Sequence, residues 1–325
     1  PGTLGRTSNY RRNIARNKIL IGSIPCGIAI PQFVFGGAVD LKHIRVFLER
    51  AETLGYESAW TQEAVLSNFG ILEPLSLLSY ASALTSRMRL GVSVMLTTLR
   101  NPIQLAKMLA SLDHLCAGRL DVGVGSGGHV DEAIFGYSKK RRIRRFVEGI
   151  EVMKALWTQT DVRVSGTFWN FDGVAMEPKP VQKPHPPIWF GARSEPGLRR
   201  AVRLGDAWMG AGSSSTADFM QDAAQVRAYL EETGRDPASF RVSKRIYLAI
   251  DNDRARAERR LREWFGIRYG NADMASRDAI WGGSAECLDK LAELVGAGAQ
   301  HLLLNPVFDE TEHLELLAEE IIPQL

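Results

Sequence analysis

Residues 89–128 constrain the fold most, because they read as two β-strands joined by one helix. A predicted strand at 90–96 is followed by a helix that starts at Asn101-Pro102 and by a second strand at 120–124. Two strands joined through a helix pair in parallel by a right-handed crossover, so this segment predicts one βαβ unit. The glycines at its end fall where parallel α/β folds bind ligands.

The same alternation continues along most of the chain. Strands are predicted at 26–31, 56–61, 90–96, 120–124, 187–191, 207–210, 242–250 and 300–305, with helices between them. Residues 160–185 interrupt the pattern with a predicted hairpin and a proline-rich stretch, which we interpret as an insertion. Eight strands and about eight helices predict an α/β fold of the (β/α)8 TIM-barrel type with insertions, rather than an open doubly wound sheet.

The glycine string GVGSGG at 123–128 is a weak match to a dinucleotide-binding loop. It lies on the fourth predicted strand rather than the first, and no acidic residue ends a second strand about 20 residues later. We therefore interpret these glycines as the end of a barrel strand.

Positive charge is concentrated at the beginning of the chain. Residues 1–25 hold five basic side chains and no acid, whereas the remaining residues hold 35 basic and 37 acidic ones. A nearly neutral body argues against a nucleic-acid-binding face on the fold. We predict a basic, flexible arm at 1–25, with a presequence as the alternative, and a single domain at 26–325.

Cysteines and apolar runs indicate the cellular setting. The three cysteines are widely spaced and form no disulfide or metal-ligand pattern, which favours a reducing cytoplasm. No apolar run has the length of a membrane span. No HExxH motif, His-Cys cluster or carboxylate cage is present, so the sequence predicts no metal.

Several blocks of sequence, in their order, resemble the bacterial luciferase-like family of flavin- and deazaflavin-dependent oxidoreductases. The blocks are GYESAW, EPLSLLSYASALTSRMRLG, RNPIQLAKMLASLDHLCAGRLDVGVGSG, FVEGIEVMKALWT, GVAMEPKPVQKPHPPIWFGARS and RRAVRLGDAWM. The resemblance covers about residues 26–325. It implies a TIM barrel that binds FMN or coenzyme F420 at the carboxyl ends of its strands, and it implies a homodimer.

The resemblance marks candidate cofactor residues on the third and fourth strands. Ser93 and Val94 match the position of a bulge with a non-prolyl cis peptide behind the flavin ring, although the strand taken alone reads as a plain barrel strand. Gly125, Ser126 and Gly127 would let backbone amides approach an anion or a ring carbonyl, or else form a flexible loop.

A second small-residue turn ends the fifth strand and runs into a helix. Gly191, Ala192, Arg193 and Ser194 would offer unpaired amides and a positive charge to the cofactor phosphate. Arg193 as a surface charge and Ser194 as an ordinary N-cap explain the same residues.

Glu63 and His129 are the candidate catalytic residues. Members of the family place a histidine after an acidic residue at the end of the second strand, and here the acid is Glu63 while Ala64 stands at the histidine position. Glu63 would serve as an acid or base or position the ring, with a surface carboxylate as the alternative. His129 follows the glycine loop and would donate a proton near neutral pH, with an ordinary loop histidine as the alternative.

The densest run of charge is KKRRIRR at 139–145, at the start of a predicted helix. We interpret it as a solvated helix face. Attraction of a phosphate or of the acidic polyglutamate tail of the deazaflavin is the alternative.

Together these features predict an oxidoreductase that transfers hydride between F420, or FMN, and a small organic substrate. F420 is preferred on the overall character of the sequence. An FMN-dependent monooxygenase, a cofactor-free barrel lyase or isomerase, and a non-catalytic flavin-binding protein are the alternatives. Ala64 favours the last of these.

Overall fold

The computed structural model describes residues 24–127 and 132–325. In chain order the strands are β1 (Cys26–Ala29), β2 (Phe33–Val34), β3 (Ser58–Thr61), β4 (Gly70–Ile71), β5 (Arg89–Val92), β6 (Met95–Leu96), β7 (Leu120–Gly125), β8 (Val162–Ser165), β9 (Asn170–Val174), β10 (Ile188–Phe190), β11 (Ala207–Gly210), β12 (Arg241–Ile250), β13 (Ala279–Gly282) and β14 (His301–Pro306). The helices are α1 (Leu41–Leu54), α2 (Pro74–Ser82), α3 (Pro102–Leu115), α4 (Arg142–Thr158), α5 (Glu195–Leu204), α6 (Thr216–Glu232), α7 (Arg254–Tyr269), α8 (Met274–Asp278), α9 (Ser284–Gly296) and α10 (Glu310–Leu316).

Eight strand positions close into a parallel barrel with helices between them. The order around it is β1, β3, β5 with β6, β7, β10, β11, β12 and β14, and β14 returns to pair with β1. The fourth and fifth positions join through β7 and β10, where Gly123 faces Trp189. The predicted TIM barrel is confirmed, and the carboxyl ends of all these strands meet at one mouth.

Helix ends follow local side-chain chemistry. α1 begins after Asp40, whose Oδ1 accepts the His43 amide at 2.9 Å, and ends at Gly55 with φ +92°. α3 begins after Asn101, whose side chain accepts the Ile103 amide at 2.9 Å. These caps explain why both helices could be located from sequence.

Large side chains fill the inside of the barrel, and a separate apolar layer lies between the strands and the helices. Trp60, Trp189, Met209 and Leu303 pack together within the barrel. A Cβ on Gly91 would lie 2.4 Å from the Trp60 ring, so the glycine leaves the room that this indole occupies. The barrel is therefore a packed core that opens only at its ends.

Two parts of the predicted pattern differ from the structure. The predicted strand at 90–96 is two strands, β5 and β6, with Ser93 and Val94 between them. Between the predicted strands at 242–250 and 300–305 lies a strand that was not predicted, β13, which follows α8 and pairs with the carboxyl-terminal half of β12, where Tyr247 faces Ala279. β13 was not predicted because it has only four residues, and because β12, with which it pairs, is long enough to pair with β14 as well.

The insertions add short antiparallel pieces around the barrel. β8 and β9 form the hairpin expected within 160–185, with its second arm at Asn170–Val174. Glu148 on α4 holds the hairpin turn by accepting the amides of residues 167–169. Throughout residues 24–127 and 132–325, no helix combines the length and the apolar composition needed to cross a bilayer.

Candidate active site

The peptide bond between Ser93 and Val94, where β5 gives way to β6, is cis. Ser93 is buried, and its amide donates to the Thr61 carbonyl oxygen at 2.8 Å. Its own carbonyl oxygen accepts a hydrogen bond from Arg245 Nη1 at 2.6 Å. Val94 remains partly exposed at the barrel mouth. The cis peptide that the resemblance implies is therefore present at the carboxyl end of the third barrel strand.

Three glycines surround this bond. A Cβ on Gly123 would lie 1.7 Å from the Val92 carbonyl oxygen, and one on Gly125 would lie 2.7 Å from Val94 Cγ2. A Cβ on Gly191 would lie 3.1 Å from Val94 Cγ1. The isopropyl group of Val94 therefore occupies the space that side chains on the fourth and fifth strands would need. Contact with Val94 therefore favours glycine at positions 125 and 191, whether or not a ligand binds here. Val94 forms a small apolar shelf between these two glycines.

The segment after β7 contacts Thr98, in the turn that follows β6. Gly127 has φ +66°, in the left-handed region that favours glycine. The Ser126 carbonyl oxygen accepts a hydrogen bond from Thr98 Oγ1 at 3.3 Å. Gly127 is the last residue described before 132, so the candidate His129 lies outside the described residues.

Glu63 is buried at the end of β3, which differs from the surface carboxylate considered above. Its carboxylate accepts hydrogen bonds from the Leu96 amide and from the Arg100 guanidinium, and Arg100 also donates to Glu73 at 3.1 Å. Burial raises the pKa of the Glu63 carboxyl, while the Arg100 charge and the Leu96 amide oppose that rise. Glu63 thus fastens the second strand to the segment that follows the cis peptide, and Ala64 comes next in the chain.

The turn after β10 leads directly into α5. Ser194 occupies the N-cap position but makes no side-chain cap bond. Its carbonyl oxygen accepts the Gly197 and Leu198 amides at 2.8 and 2.9 Å. The Ala192 carbonyl oxygen accepts Trp208 Nε1 at 2.9 Å, which anchors the turn to the sixth strand. The Ser194 hydroxyl is therefore not used by the fold as a helix cap.

Arg193 extends from this turn toward the loop between β11 and α6. Its Nη1 donates to the Ser213 carbonyl oxygen at 2.9 Å, and its Nη2 lies 3.8 Å from Asp218 Oδ2. Lys244 holds the same loop from the other side, donating to the Ser214 carbonyl oxygen at 2.7 Å and to Ser214 Oγ at 2.8 Å. Burial lowers the pKa of Lys244 to about 7. Arg193 and Lys244 therefore fix the loop beside the fifth and sixth strand ends.

Arg245 is the functional candidate that sequence reasoning missed. Besides Ser93, its guanidinium donates to the Tyr247 hydroxyl and, at 3.4 Å, to the Tyr269 hydroxyl. The two hydroxyls lie 2.6 Å apart, and Tyr247 donates to Gln62 Oε1 at 3.2 Å. Burial lowers the pKa of Arg245, and its buried Nε has no hydrogen-bond partner. The available signal was a basic residue directly before the apolar stretch IYLAI of β12.

The predicted candidates thus fall into three places. Ser93, Val94, Gly125 and Gly191 meet at the shelf, whereas Ser126 and Gly127 lie against Thr98, which follows β6. Glu63 joins them through Leu96, whereas Arg193 and Ser194 lie farther around the mouth. Among the described residues, no group of three or more His, Cys, Asp or Glu side chains is arranged to hold a metal ion.

Comparison with known proteins gives a consistent result. The model of the luciferase-like monooxygenase family matches residues 27–277. Over 140 residues the chain is 43% identical to an uncharacterized protein of Mycobacterium tuberculosis, a match that spans 42% of this chain and 49% of the relative. It is 28% identical over 308 residues to an F420-dependent glucose-6-phosphate dehydrogenase of Beutenbergia cavernae, covering 85% of this chain and 90% of the relative.

The fold is also similar to that of solved structures. An F420-dependent secondary alcohol dehydrogenase, solved with an F420-acetone adduct, superposes with a TM-score of 0.82 at 19% identity. The superposition covers 93% of this chain and 99% of the dehydrogenase. At that identity the similarity concerns the fold alone.

Proposed function

Because the chain belongs to the luciferase-like monooxygenase family, we propose that it is an oxidoreductase that transfers hydride between F420 and a small organic substrate. The observation that carries this proposal is the partly exposed Val94 shelf, which follows a cis peptide at the barrel mouth. The F420-dependent dehydrogenase relative supports F420 as the cofactor, with FMN as the alternative.

The residues at the mouth fit a flat ring. Ser93 and Val94 would support one face of it, because the glycines beside Val94 leave no side chain standing above the shelf. The backbone of Gly125, Ser126 and Gly127 would contact its edge. The phosphate would be held by the turn that comprises Gly191, Ala192, Arg193 and Ser194. The Ser194 hydroxyl does not cap α5, so it would be free to donate a hydrogen bond to the phosphate. When bound, the cofactor would supply the hydride or accept it.

The remaining residues would position this cradle and handle protons. Arg245 holds the Ser93 carbonyl oxygen, and Glu63 holds the Leu96 amide, so the two side chains fix both sides of the cis peptide. In this proposal Glu63 orients the shelf. His129 would donate a proton to the substrate, since Ala64 brings no imidazole to the second strand end.

A binding experiment tests the proposal. Purified protein would be titrated with F420 and with FMN, followed by fluorescence and absorbance, and then assayed for turnover. Gly125→Ala should weaken binding at least tenfold, because its Cβ would push Val94 off the shelf. Gly296→Ala is the matched control, since a Cβ there meets nothing within 4 Å.

The alternatives predict different results. Oxygen consumption with reduced FMN would identify a monooxygenase. Tight cofactor binding without turnover of any substrate would identify a flavin-binding protein, which Ala64 favours. Failure to bind either cofactor would refute the flavin proposal and leave a cofactor-free barrel enzyme.

We also propose that the protein is a cytoplasmic homodimer. Cys26, Cys116 and Cys287 are buried as free thiols, which suits a reducing compartment. Light scattering of the purified chain would measure its mass, and a monomer at micromolar concentration would contradict the dimer.

A further inference from the structure

A groove of about 560 Å³ lies between α4 and α5, on the outside of the barrel wall. Its lining comprises three apolar side chains, Ile143, Val147 and Pro196, and four arginines, Arg144, Arg199, Arg200 and Arg203. No acidic side chain is among these lining residues. The groove therefore combines an apolar floor with a positively charged rim.

Among the described residues, carboxylates pair with only one of these four arginines. Arg199 pairs with Glu195 and Glu232. In the described part of the chain, no carboxylate lies within ion-pair distance of Arg144, Arg200 or Arg203. Burial and the neighbouring Arg203 charge both lower the pKa of Arg200. Crowded guanidinium groups without counter-charges favour an anionic ligand.

The groove begins beside the proposed phosphate turn. A Cβ on Gly197 would lie 3.1 Å from Ser194 Oγ and 3.8 Å from Arg200 Nη2, so both side chains lie close to the same point. From Pro196 the arginines follow one stripe of α5, at spacings of three, four and seven residues. That stripe is about 10 Å long at the rise of an α-helix. The groove thus runs away from the phosphate turn along the helix.

We propose that this groove binds the γ-linked oligoglutamate tail of F420, with Arg144, Arg200 and Arg203 as partners of its carboxylates. The inference rests on the proposed function. Guanidinium groups bind carboxylates through paired hydrogen bonds, and the apolar floor suits the methylene groups of the glutamyl chain. FMN ends at its phosphate and has no such tail. The groove would therefore select F420 over FMN, although the two cofactors present similar rings.

Deazaflavins with and without the tail provide the test. Dissociation constants would be measured by fluorescence for F420 with several glutamates and for the same cofactor without glutamates. We expect the wild-type protein to bind the tailed form roughly tenfold more tightly at low salt, with the preference shrinking as salt rises. Equal affinity for the two forms would overturn the inference but leave the proposed function intact. Failure to bind either form would refute the proposed function.

Charge-reversal variants locate the effect. Arg144→Glu and Arg203→Glu, tested separately, should remove the preference for the tail while leaving affinity for the tail-less form within about twofold. Arg259→Glu on α7, an exposed arginine outside the groove, is the matched control and should keep the preference. Arg144 and Arg203 are both exposed, so neither variant places a charge in the core. Loss of affinity for both forms alike, or a control that loses the preference, would contradict the assignment.

Discussion

The two ends of the barrel interior use buried polar groups differently. At the amino-terminal end, Asp121 accepts hydrogen bonds from Arg89 at 2.7 Å and from Trp189 at 3.1 Å. His301 lies between two serine hydroxyls at the same end. At the mouth, Arg245 has neutral partners and an Nε without any. The comparison suggests that completed networks stabilise the fold, whereas the incomplete network at the mouth leaves capacity for a ligand.

The largest effect on stability is expected at the amino-terminal end of the barrel, which we call the closed end. Asp121→Ala should lower the free energy of unfolding by about 3–5 kcal/mol, because it leaves Arg89 and the Trp189 indole without their buried partner. Urea denaturation measures this loss. A change below 1 kcal/mol would show that the Asp121 network contributes little to stability. The proposed contrast between the two ends would then be wrong.

His301 should make the closed end sensitive to acid. Although Glu57 lies 3.5 Å from its Nε2, burial lowers the pKa of His301 to about 3 from an ordinary value of 6.5. The unfolded chain therefore takes up a proton between these values, and the stabilisation present above pH 6.5 is lost as the pH falls. The loss should reach about 3 kcal/mol by pH 4.5.

The difference in unfolding free energy between wild type and His301→Gln, followed from pH 7 to pH 4.5, isolates this contribution. The variant should lose less stability over that range. Parallel curves for the two proteins would mean that His301 does not cause the acid sensitivity.

At the mouth, substitution should affect binding more than stability. Arg245→Met should reduce cofactor affinity about tenfold, because the Ser93 carbonyl oxygen loses the group that holds the shelf. Unfolding free energy should change by only about 1 kcal/mol, since a lost hydrogen bond is offset by removal of a buried cation. Titration and urea denaturation measure the two quantities.

Arg241→Met supplies the matched control at the other end of the same strand. Arg241 donates to Glu57 at 2.7 Å, so its loss should change stability while cofactor affinity stays within about twofold. The same binding defect in both variants would show that Arg245 has no special place at the mouth.

The smallest expected effect on stability is at Ser194. Because its hydroxyl caps nothing, Ser194→Ala should change the free energy of unfolding by less than about 0.3 kcal/mol while weakening cofactor binding several-fold. Asp40→Ala, which removes a cap that is formed, should instead cost about 1 kcal/mol and leave binding unchanged. Unchanged affinity in Ser194→Ala would remove this residue from the phosphate site.

The sequence predicted best where the cause of a structure is local. The start of α3 was predicted correctly because Asn101 and Pro102 define it. The break between β5 and β6 depends on glycines of two other strands, and only the resemblance pointed to it. Arg245 was missed because its partner Ser93 is 152 residues away in the chain. The candidate roles of Glu63 and His129 stay predictions, although the structure shows what Glu63 binds.

The fit between Gly123 and the Val92 carbonyl oxygen has a consequence for mutational surveys. No side chain can be added at Gly123 without moving neighbouring backbone, whatever ligand the mouth holds. A scan of tolerated substitutions would therefore score Gly123 as intolerant even in a relative that had lost its cofactor. Intolerance to substitution at this glycine would report how closely the third and fourth strands approach each other. Tolerance to substitution at Ser194 or Arg200 would be the more informative sign that cofactor binding had been lost.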